Sequence, residues 1–525
     1  MIRRLRLARD PKLTLATLLD ELLPLAANRR CSYHPDLLGL DGAPQPEQSL
    51  QDLHREVAAM SRFLVESAGL RRGDRVAILK TNDARCCRWL LATIRAGGVA
   101  VPLNPLLTLA EVREIVARIG VTTMVTDGSV FRSTFGSCDA LPVQHWVQSG
   151  DEPALPGFLR LTAEWLEAPL LPPASIDPND AVAVFHTSGT NGFPKGAVLS
   201  SRALLAGRAA ALMAAPLVGR KALALFPLPW AHIMAVSTAV YGLLAGVPGY
   251  FMTRFDAQAA IAAIEERKIT AVVGVPAMFI RLLNAAPSPR SLASVRLWVS
   301  ASDHLPDSYR RRLLEYGGVF LNAYGMVELG GIAMCGIDAR FIPGDGQLCF
   351  PVPPFHLRVA DERGRPARPG EIGEFQVRGP GVTGRYWGDS QLSAPDGWLR
   401  TGDLAVRNLL GFIRLMGRDK DVIKCGGYSV FPREIEEMLI THPAVVRAAV
   451  IGVPHRDKGE EPMAVVERCA DLSPSEEELV AWCRERLAAY KVPRRIVQVQ
   501  PGSLPQGVTE KVLKRVLRQQ YSSAT

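Results

Sequence analysis

Phe185-His186-Thr187-Ser188-Gly189-Thr190-Asn191-Gly192-Phe193-Pro194-Lys195-Gly196 closes an apolar run over residues 181–185. Glycines let backbone N–H groups approach phosphate oxygens, hydroxyls donate further bonds, and a lysine adds charge. Thr187, Ser188, Gly189, Thr190, Asn191, Gly192 and Lys195 are therefore the candidate polyphosphate-binding residues. The segment is not the P-loop of NTPases, because Pro194 stands five residues after Gly189, where that motif needs glycine.

Working outward, strand-like and helix-like pieces alternate. The pattern predicts a helix over 53–67, a turn at Gly73-Asp74, a strand over 75–79, a helix over 84–96 and a strand over 99–103. The rhythm returns at 222–228, at 271–275 with a helix over 278–284, and at 295–300. This is the signature of a parallel sheet covered by helices. Over 340–416 short strands, such as 355–359 and 374–378, alternate with Gly/Pro/Asp turns, predicting an antiparallel sheet or small barrel. Residues 422–525 mix helices (432–439, 475–490) with strands (445–453, 495–499). Near the start, 15–23 reads as a helix capped by Thr14 and stopped before Pro24. The expected fold class is α/β: a large N-terminal domain (1–416) of α/β-layered subdomains plus a small β-barrel-like subdomain, a charged hinge (417–421) and a small α+β C-terminal domain (422–525).

The chain's 525 residues exceed what one core organises, and 48% hydrophobic with 22% charged residues describes a globular protein. A net charge of +9 suits a phosphate-rich partner and is compatible with peripheral membrane contact. No basic run with interleaved aromatics points to nucleic acid. Nine scattered cysteines without C-x-x-C argue against a zinc site and for reduced thiols in the cytoplasm. The basic N-terminus lacks the apolar core of a signal peptide. No transmembrane segment is expected: the richest apolar stretch, 231–251, contains His232 and glycines and reads as a buried helix and strand.

Four more segments carry chemistry: Asn322-Ala323-Tyr324-Gly325-Met326-Val327-Glu328; Trp398-Leu399-Arg400-Thr401-Gly402-Asp403; Gly417-Arg418-Asp419-Lys420-Asp421, continuing through Lys424-Cys425-Gly426-Gly427-Tyr428; and Leu504-Pro505-Gln506-Gly507-Val508-Thr509-Glu510-Lys511. A carboxylate such as Glu328 is a hard ligand suited to Mg²⁺, and Asp403 offers two oxygens to a vicinal diol. By contrast, Gly379-Pro380-Gly381-Val382-Thr383-Gly384 matches G-x-G-x-x-G, but Arg385-Tyr386-Trp387-Gly388 does not open a helix, so a dinucleotide motif is rejected.

In this order the segments resemble the adenylate-forming enzymes, which include acyl-CoA synthetases, peptide-synthetase adenylation domains and beetle luciferases. The resemblance runs from about residue 50 to 518. It implies an ATP-dependent acyl-CoA synthetase using Mg²⁺ and coenzyme A on a small carboxylic acid, fatty or aryl, with a mobile C-terminal domain. It assigns adenine stacking to Tyr324, the metal to Glu328, the ribose to Asp403, and a ribose or phosphate contact to Arg418. Lys420 becomes the hinge pivot. Lys424, Gly426, Gly427 and Tyr428 line a pantetheine tunnel, and Lys511 binds the carboxylate and α-phosphate. His232, Gly274, Ala277 and Ala301, with Gly330, would shape the acyl pocket. The implied catalytic set is Lys511, Glu328, His232, Thr187 and Lys195. Departures are Val327 for a threonine that reaches the α-phosphate, Glu510 for a glycine, and Ala301, Asp303 and His304 within S-G-x-A-P. Asp303 and His304 are expected to alter which acid is accepted. Two alternatives stay open: a ligase loading a carrier protein, and a degenerate nucleotide-binding relative.

Overall fold

The computed structural model describes residues 2–39, 43–150, 152–187, 195–219, 221–286, 288–339, 348–388, 396–469, 472–507 and 511–521. Three sheets organise them. The first has seven strands in the order Leu159–Arg160, His145–Gln148, Thr123–Thr126, Arg75–Ile78, Val99–Pro102, Ala181–Thr187 and Lys195–Ser200. All its pairings are parallel except the last, where Ala181–Thr187 and Lys195–Ser200 form an antiparallel hairpin. The predicted alternation of helix and strand is observed here, the first helix starting three residues earlier than expected: Leu50–Glu66, Arg75–Ile78, Ala84–Arg95 and Val99–Pro102. Ser49 and Asp52 form a reciprocal capping box at the start of Leu50–Glu66.

The second sheet has thirteen strands. At its centre Gly249–Phe251, Ala224–Phe226, Ala271–Gly274, Leu297–Ala301 and Val319–Met326 run parallel. Beyond Val319–Met326 the pairings turn antiparallel, through Gly331–Ala339 and Cys349–Pro351 to Ile413–Arg418, Leu399–Arg407, Ile372–Arg378 and His356–Ala360. The turn-rich region thus forms antiparallel strands as its punctuation predicts. It joins the rest where Cys349–Pro351 pairs with Gly331–Ala339, while Cys349↔Ile413 links that strand to Ile413–Arg418. The third sheet holds Tyr428–Val430, Ile423–Cys425, Gly459–Arg468, Val445–His455 and Arg495–Val499.

The largest core is built from residues of both big sheets and of helices Leu50–Glu66, Ala84–Arg95 and Ile233–Ala245, with Phe63, Trp89, Phe185 and Tyr241 fully buried. Each such side chain contributes roughly 1.5–3 kcal/mol. A buried ion pair lies in the same region: Arg88 Nη1 is 2.9 Å from Glu56 Oε2, both side chains being 5% exposed or less, and Arg88 Nη2 donates to Gln48 Oε1 at 2.6 Å. Removing one partner strands the other charge. Glu56→Ala is expected to cost about 3–5 kcal/mol, read as a lowered denaturation midpoint.

Four details differ from the sequence reading. The first long helix begins one turn later, at Leu18, and runs through Pro24 to Ala26, because Leu18, Leu19 and Leu22 bury against the core. The helix expected over 475–490 stops at Arg484, and a separate single turn covers Ala489–Lys491. The strand before the expected hinge persists through Arg418, which pairs with Asp403, so only Asp419–Asp421 form the turn between the two parts. Finally, the run Ser201–Val218, not 231–251, is apolar and long enough by length and composition to cross a bilayer. It is 44% buried, and residues 205–207 break it between Ser201–Leu204 and Arg208–Val218.

Candidate active site

Thr187, Gly274, Ala301, Tyr324 and Glu328 stand at or just beyond the carboxyl ends of parallel strands, where chains leave a sheet and side chains are free to converge. Thr187 ends one strand and pairs in register with Lys195. The hairpin holds both ends of the glycine-rich turn together. Ser188, Gly189, Thr190, Asn191, Gly192 and Pro194 lie outside the described residues, as does Glu510. In the second sheet, Gly274, Ser300 and Asn322 stand side by side in register, as do Ala301 and Ala323.

Tyr324 lies near the end of Val319–Met326, and its hydroxyl donates to Asp403 Oδ2 at 2.5 Å. Its ring meets Phe375 edge-on at 5.2 Å. Burial first, then the Asp403 carboxylate, pushes the Tyr324 phenol well above its ordinary range, so it stays a donor. Asp403 Oδ1 is 2.8 Å from Arg418 Nε on the neighbouring strand. Gly402 has φ +71, a left-handed backbone that suits glycine. The buried Thr401 hydroxyl accepts the Asp403 N–H and donates to the Phe375 carbonyl, fixing that bend. Three residues far apart in sequence thus form one polar group.

A second string runs through Glu328, 8% exposed, in the single turn Val327–Leu329. Tyr386 donates its hydroxyl to Glu328 Oε1 at 2.7 Å, and Lys195 Nζ sits 5.1 Å from the Tyr386 ring centroid. The segment that fails as a dinucleotide motif supplies this link. The Thr383 N–H donates to the Glu328 carbonyl, Thr383 Oγ1 donates to Val198 O, and Ala197 bridges Tyr386. Those bonds tie the first sheet to the second. Tyr386 escaped the sequence reading; its only signal was an aromatic hydroxyl just after a Gly/Pro-rich turn. Among the described residues no group of three His, Cys, Asp or Glu side chains gathers. A cation at Glu328 would therefore depend on oxygens brought by a phosphate-bearing ligand and water, the pattern typical of Mg²⁺.

Two histidines near the motifs, His232 and His186, are half-buried. His232 precedes helix Ile233–Ala245, and burial drives it down to about 4. Its Nε2 is buried without a partner. His186, beside Thr187, is likewise pushed to about 4 by burial, with Nδ1 unpartnered. Both are neutral at pH 7. Gly274 has room for a Cβ only against the Phe279 ring, 3.5 Å away, and Ala301 is buried. Ala277 is half-buried at the start of helix Pro276–Ala285. Gly330 is different: a Cβ there would stand 2.3 Å from the Ala203 carbonyl oxygen, so packing against backbone requires it to be small.

From the small part, Lys511 Nζ reaches to 3.9 Å from Asp303 Oδ1. Lys420, in the turn Asp419–Asp421, is lowered by desolvation and by the nearby cations Arg418, Arg518 and Lys511, against Asp421. Lys195, Arg418, Lys420 and Lys511 surround the site with positive charge. Lys424, Gly426 and Tyr428 make contacts within residues 422–525. Lys424 Nζ donates to Ser429, the Gly426 N–H donates to Lys458 O, and Tyr428, 57% exposed, stacks on Tyr490. Although Gly426-Gly427-Tyr428-Ser429 spells the G-G-x-S string of carrier modules, it forms the tight turn of a hairpin between Ile423–Cys425 and Tyr428–Val430.

Comparison with known proteins gives consistent matches. The family model described as AMP-binding enzyme matches residues 28–387, and that described as AMP-binding enzyme C-terminal domain matches residues 434–511. A feruloyl-CoA synthase of Amycolatopsis sp is 32% identical over 491 residues, covering 90% of this chain and 93% of that protein. The fatty acid–[acyl-carrier-protein] ligase ScoC of Streptomyces coeruleorubidus is 31% identical, with 90% and 91% covered. ATP-bound MatB from Rhodopseudomonas palustris superposes with a TM-score of 0.84 at 26% identity, covering 98% of this chain and all of the other.

Proposed function

The chain belongs to the AMP-binding enzymes, and on that premise we propose that it is an AMP-forming acid–thiol ligase. It activates a small carboxylic acid with ATP as an acyl-adenylate, releases pyrophosphate, and transfers the acyl group to coenzyme A. The observation that supports this most directly is convergence. The Tyr324–Asp403–Arg418 group, the Glu328–Tyr386–Lys195 string and the Asp303–Lys511 contact all involve residues at the carboxyl ends of the neighbouring strands Leu297–Ala301 and Val319–Met326.

A carboxylate is a poor acyl donor because its leaving group is oxide. Attack of its oxygen on the α-phosphorus of ATP, with loss of pyrophosphate, makes a mixed anhydride whose leaving group is AMP. Tyr324 presents a ring face to the adenine. Asp403 accepts from the ribose hydroxyls and Arg418 contacts ribose or phosphate; both Asp403 oxygens already have fixed partners, the Tyr324 hydroxyl and Arg418 Nε. Lys195 and the Thr187–Lys195 turn neutralise the departing phosphates, and Lys511 holds the attacking carboxylate against the α-phosphate. Glu328 would hold Mg²⁺, which would supply Lewis-acid neutralisation of the same charge. Val327 offers no hydroxyl to the α-phosphate, so Lys511 and Lys195 carry more of that task. In the second step the thiolate attacks the acyl carbon and AMP leaves. Rotation of residues 422–525 about the turn Asp419–Asp421, with Lys420 as pivot, brings the Lys424–Tyr428 face to the site.

The neutral His232 and the small residues Gly274, Ala277 and Ala301 favour an apolar aliphatic or aryl acid over a dicarboxylate. The feruloyl and fatty-acid names of the relatives agree. The carrier-protein reading is favoured by one observation, the similarity to ScoC.

The test is carboxylate-dependent pyrophosphate release with Mg-ATP across fatty, aryl and short acids, with and without CoA. Release that requires an acid, with CoA consumed, is expected. ATP binding without release for any acid would overturn the reading, and release without CoA consumption would redirect it to a carrier acceptor.

A further inference from the structure

Asp303 and His304 follow strand Leu297–Ala301 and precede helix Asp307–Glu315. The backbone turns sharply just before them. Ser302 has φ 75, and the one other described non-glycine residue with positive φ is Lys268, which closes a helix. This is a strained conformation for serine, of the kind retained where a side chain must be aimed. The bend directs the next two residues toward the small part of the molecule.

There His304 enters a closed ring of polar contacts. Its Nδ1 is 2.6 Å from Arg433 Nη2, and its Nε2 is 2.8 Å from Glu437 Oε1, close but not aligned as a hydrogen bond. Arg433 Nε donates to the same Glu437 oxygen at 2.9 Å, and its Nη1 donates to Leu415 O at 3.1 Å. Arg433 and Glu437 stand one turn apart on helix Pro432–Ile440, so one helix face of the small part grips both His304 and strand Ile413–Arg418 of the large part. Ile440 and Val446 pack on the core beneath helix Asp307–Glu315, backing the ring with apolar contact. One residue upstream, Asp303 Oδ1 lies 3.9 Å from Lys511 Nζ. A guanidinium only donates, so Nδ1 is the acceptor and the proton of the neutral ring sits on Nε2, facing Glu437.

We infer that Asp303 and His304 are positioning residues for the first half-reaction, docking the small part so that Lys511 faces the nucleotide group. This rests on the function proposed above. It also places the two residues away from the choice of acid, the role their departure from S-G-x-A-P first suggested.

The ring titrates. The charged and titratable groups facing His304 are Arg433 and Glu437 from one helix, Asp307 from the next, and its neighbour Asp303. Burial lowers His304 below its ordinary range, Arg433 adds to that, and Glu437 opposes it. Glu437 stays ionised: desolvation works upward, but His304 and Arg433 hold it at about 2. Undocking therefore raises the affinity of His304 for a proton. Docking is complete above the ordinary histidine range and is lost as pH falls through and below it, when an Nδ1–H would face the guanidinium.

The experiment uses full-length wild type, His304→Ala and His304→Gln. Glutamine can accept from Arg433 and donate to Glu437 without titrating. Three readouts separate the roles: carboxylate-dependent ATP–pyrophosphate exchange from pH 5.5 to 8, thioester formation from supplied acyl-adenylate, and the rate of trypsin cleavage within 417–421 in the absence of substrates. His304→Ala should lower exchange by about tenfold and speed cleavage by a similar factor, while thioester formation is unchanged. His304→Gln should restore exchange and protection at pH 7.5 and flatten the acid limb. Wild-type exchange and cleavage in His304→Ala would overturn the inference, as would a glutamine variant that restores neither. A wild type lacking exchange with every acid would count against the proposed function instead, and the cleavage rates alone would then decide the docking claim.

Discussion

Lys511→Ala should lower carboxylate-dependent pyrophosphate release by about two to three orders of magnitude, while thioester formation from supplied acyl-adenylate continues at near the wild-type rate. The magnitude is that of removing one preorganised donor from a developing oxyanion, about 2.7–4 kcal/mol. Lys511 is suited to the task by its surroundings. Its side chain is 46% exposed and its near neighbour of opposite charge is Asp303, 3.9 Å away, a separation too long for a tight pair. Asp303 is itself held below the ordinary carboxylate range: desolvation works upward, but Lys511 and the His304 N–H outweigh it. The Lys511 side chain is thus loosely held, available to a substrate carboxylate. Stopped-time assays of pyrophosphate and of thioester on the same variant give the two numbers. An equal loss in both would mean that the lysine serves the fold or both steps, and the assignment to adenylation would fall.

The second large effect belongs to Glu328. Glu328→Gln keeps the shape and can still accept from Tyr386, but it removes the charge that a hard cation requires. Pyrophosphate release at saturating ATP should fall by about 10²–10³-fold, with a higher Mg²⁺ concentration needed for half-maximal rate. Tyr386→Phe is the matched control. It deletes one donor to Glu328 Oε1 and leaves the carboxylate in place, so a loss of about tenfold is expected. The Mg²⁺ titration decides the matter. A glutamine variant with an unshifted Mg²⁺ requirement would remove Glu328 from the metal site, whatever its rate.

The residues proposed for the site are named by local sequence before any fold is considered. Thr187, Lys195, Tyr324, Glu328, Asp403, Arg418 and Lys511 each sit in a short string whose composition already constrains its chemistry: glycines beside hydroxyls and a lysine, or a carboxylate at a strand-end turn. The parallel sheets were readable for a similar reason. An apolar run of four or five residues between helical periods is a local pattern, and Arg75–Ile78, Val99–Pro102 and Ala271–Gly274 form where that pattern lies. The missed helix boundaries were local ambiguities settled elsewhere. Residues 18, 19 and 22 carry the first long helix past Pro24 because they bury against the main core, which no window of sequence contains.

What sequence alone determined, then, is the set of chemical groups and the α/β layering, since both follow from residue type and spacing along a few turns of chain. Tertiary structure decided which groups meet. Tyr324 finds Asp403 across 79 residues, and His304 finds Arg433 across 129. Tyr386, set aside with a failed motif, turns out to hold the Glu328 carboxylate, and Gly330 is small because the Ala203 backbone lies against it. Such pairings depend on strand register and on the docking of whole elements. They are set by burying apolar faces far from the site, and the polar side chains carry no local trace of them.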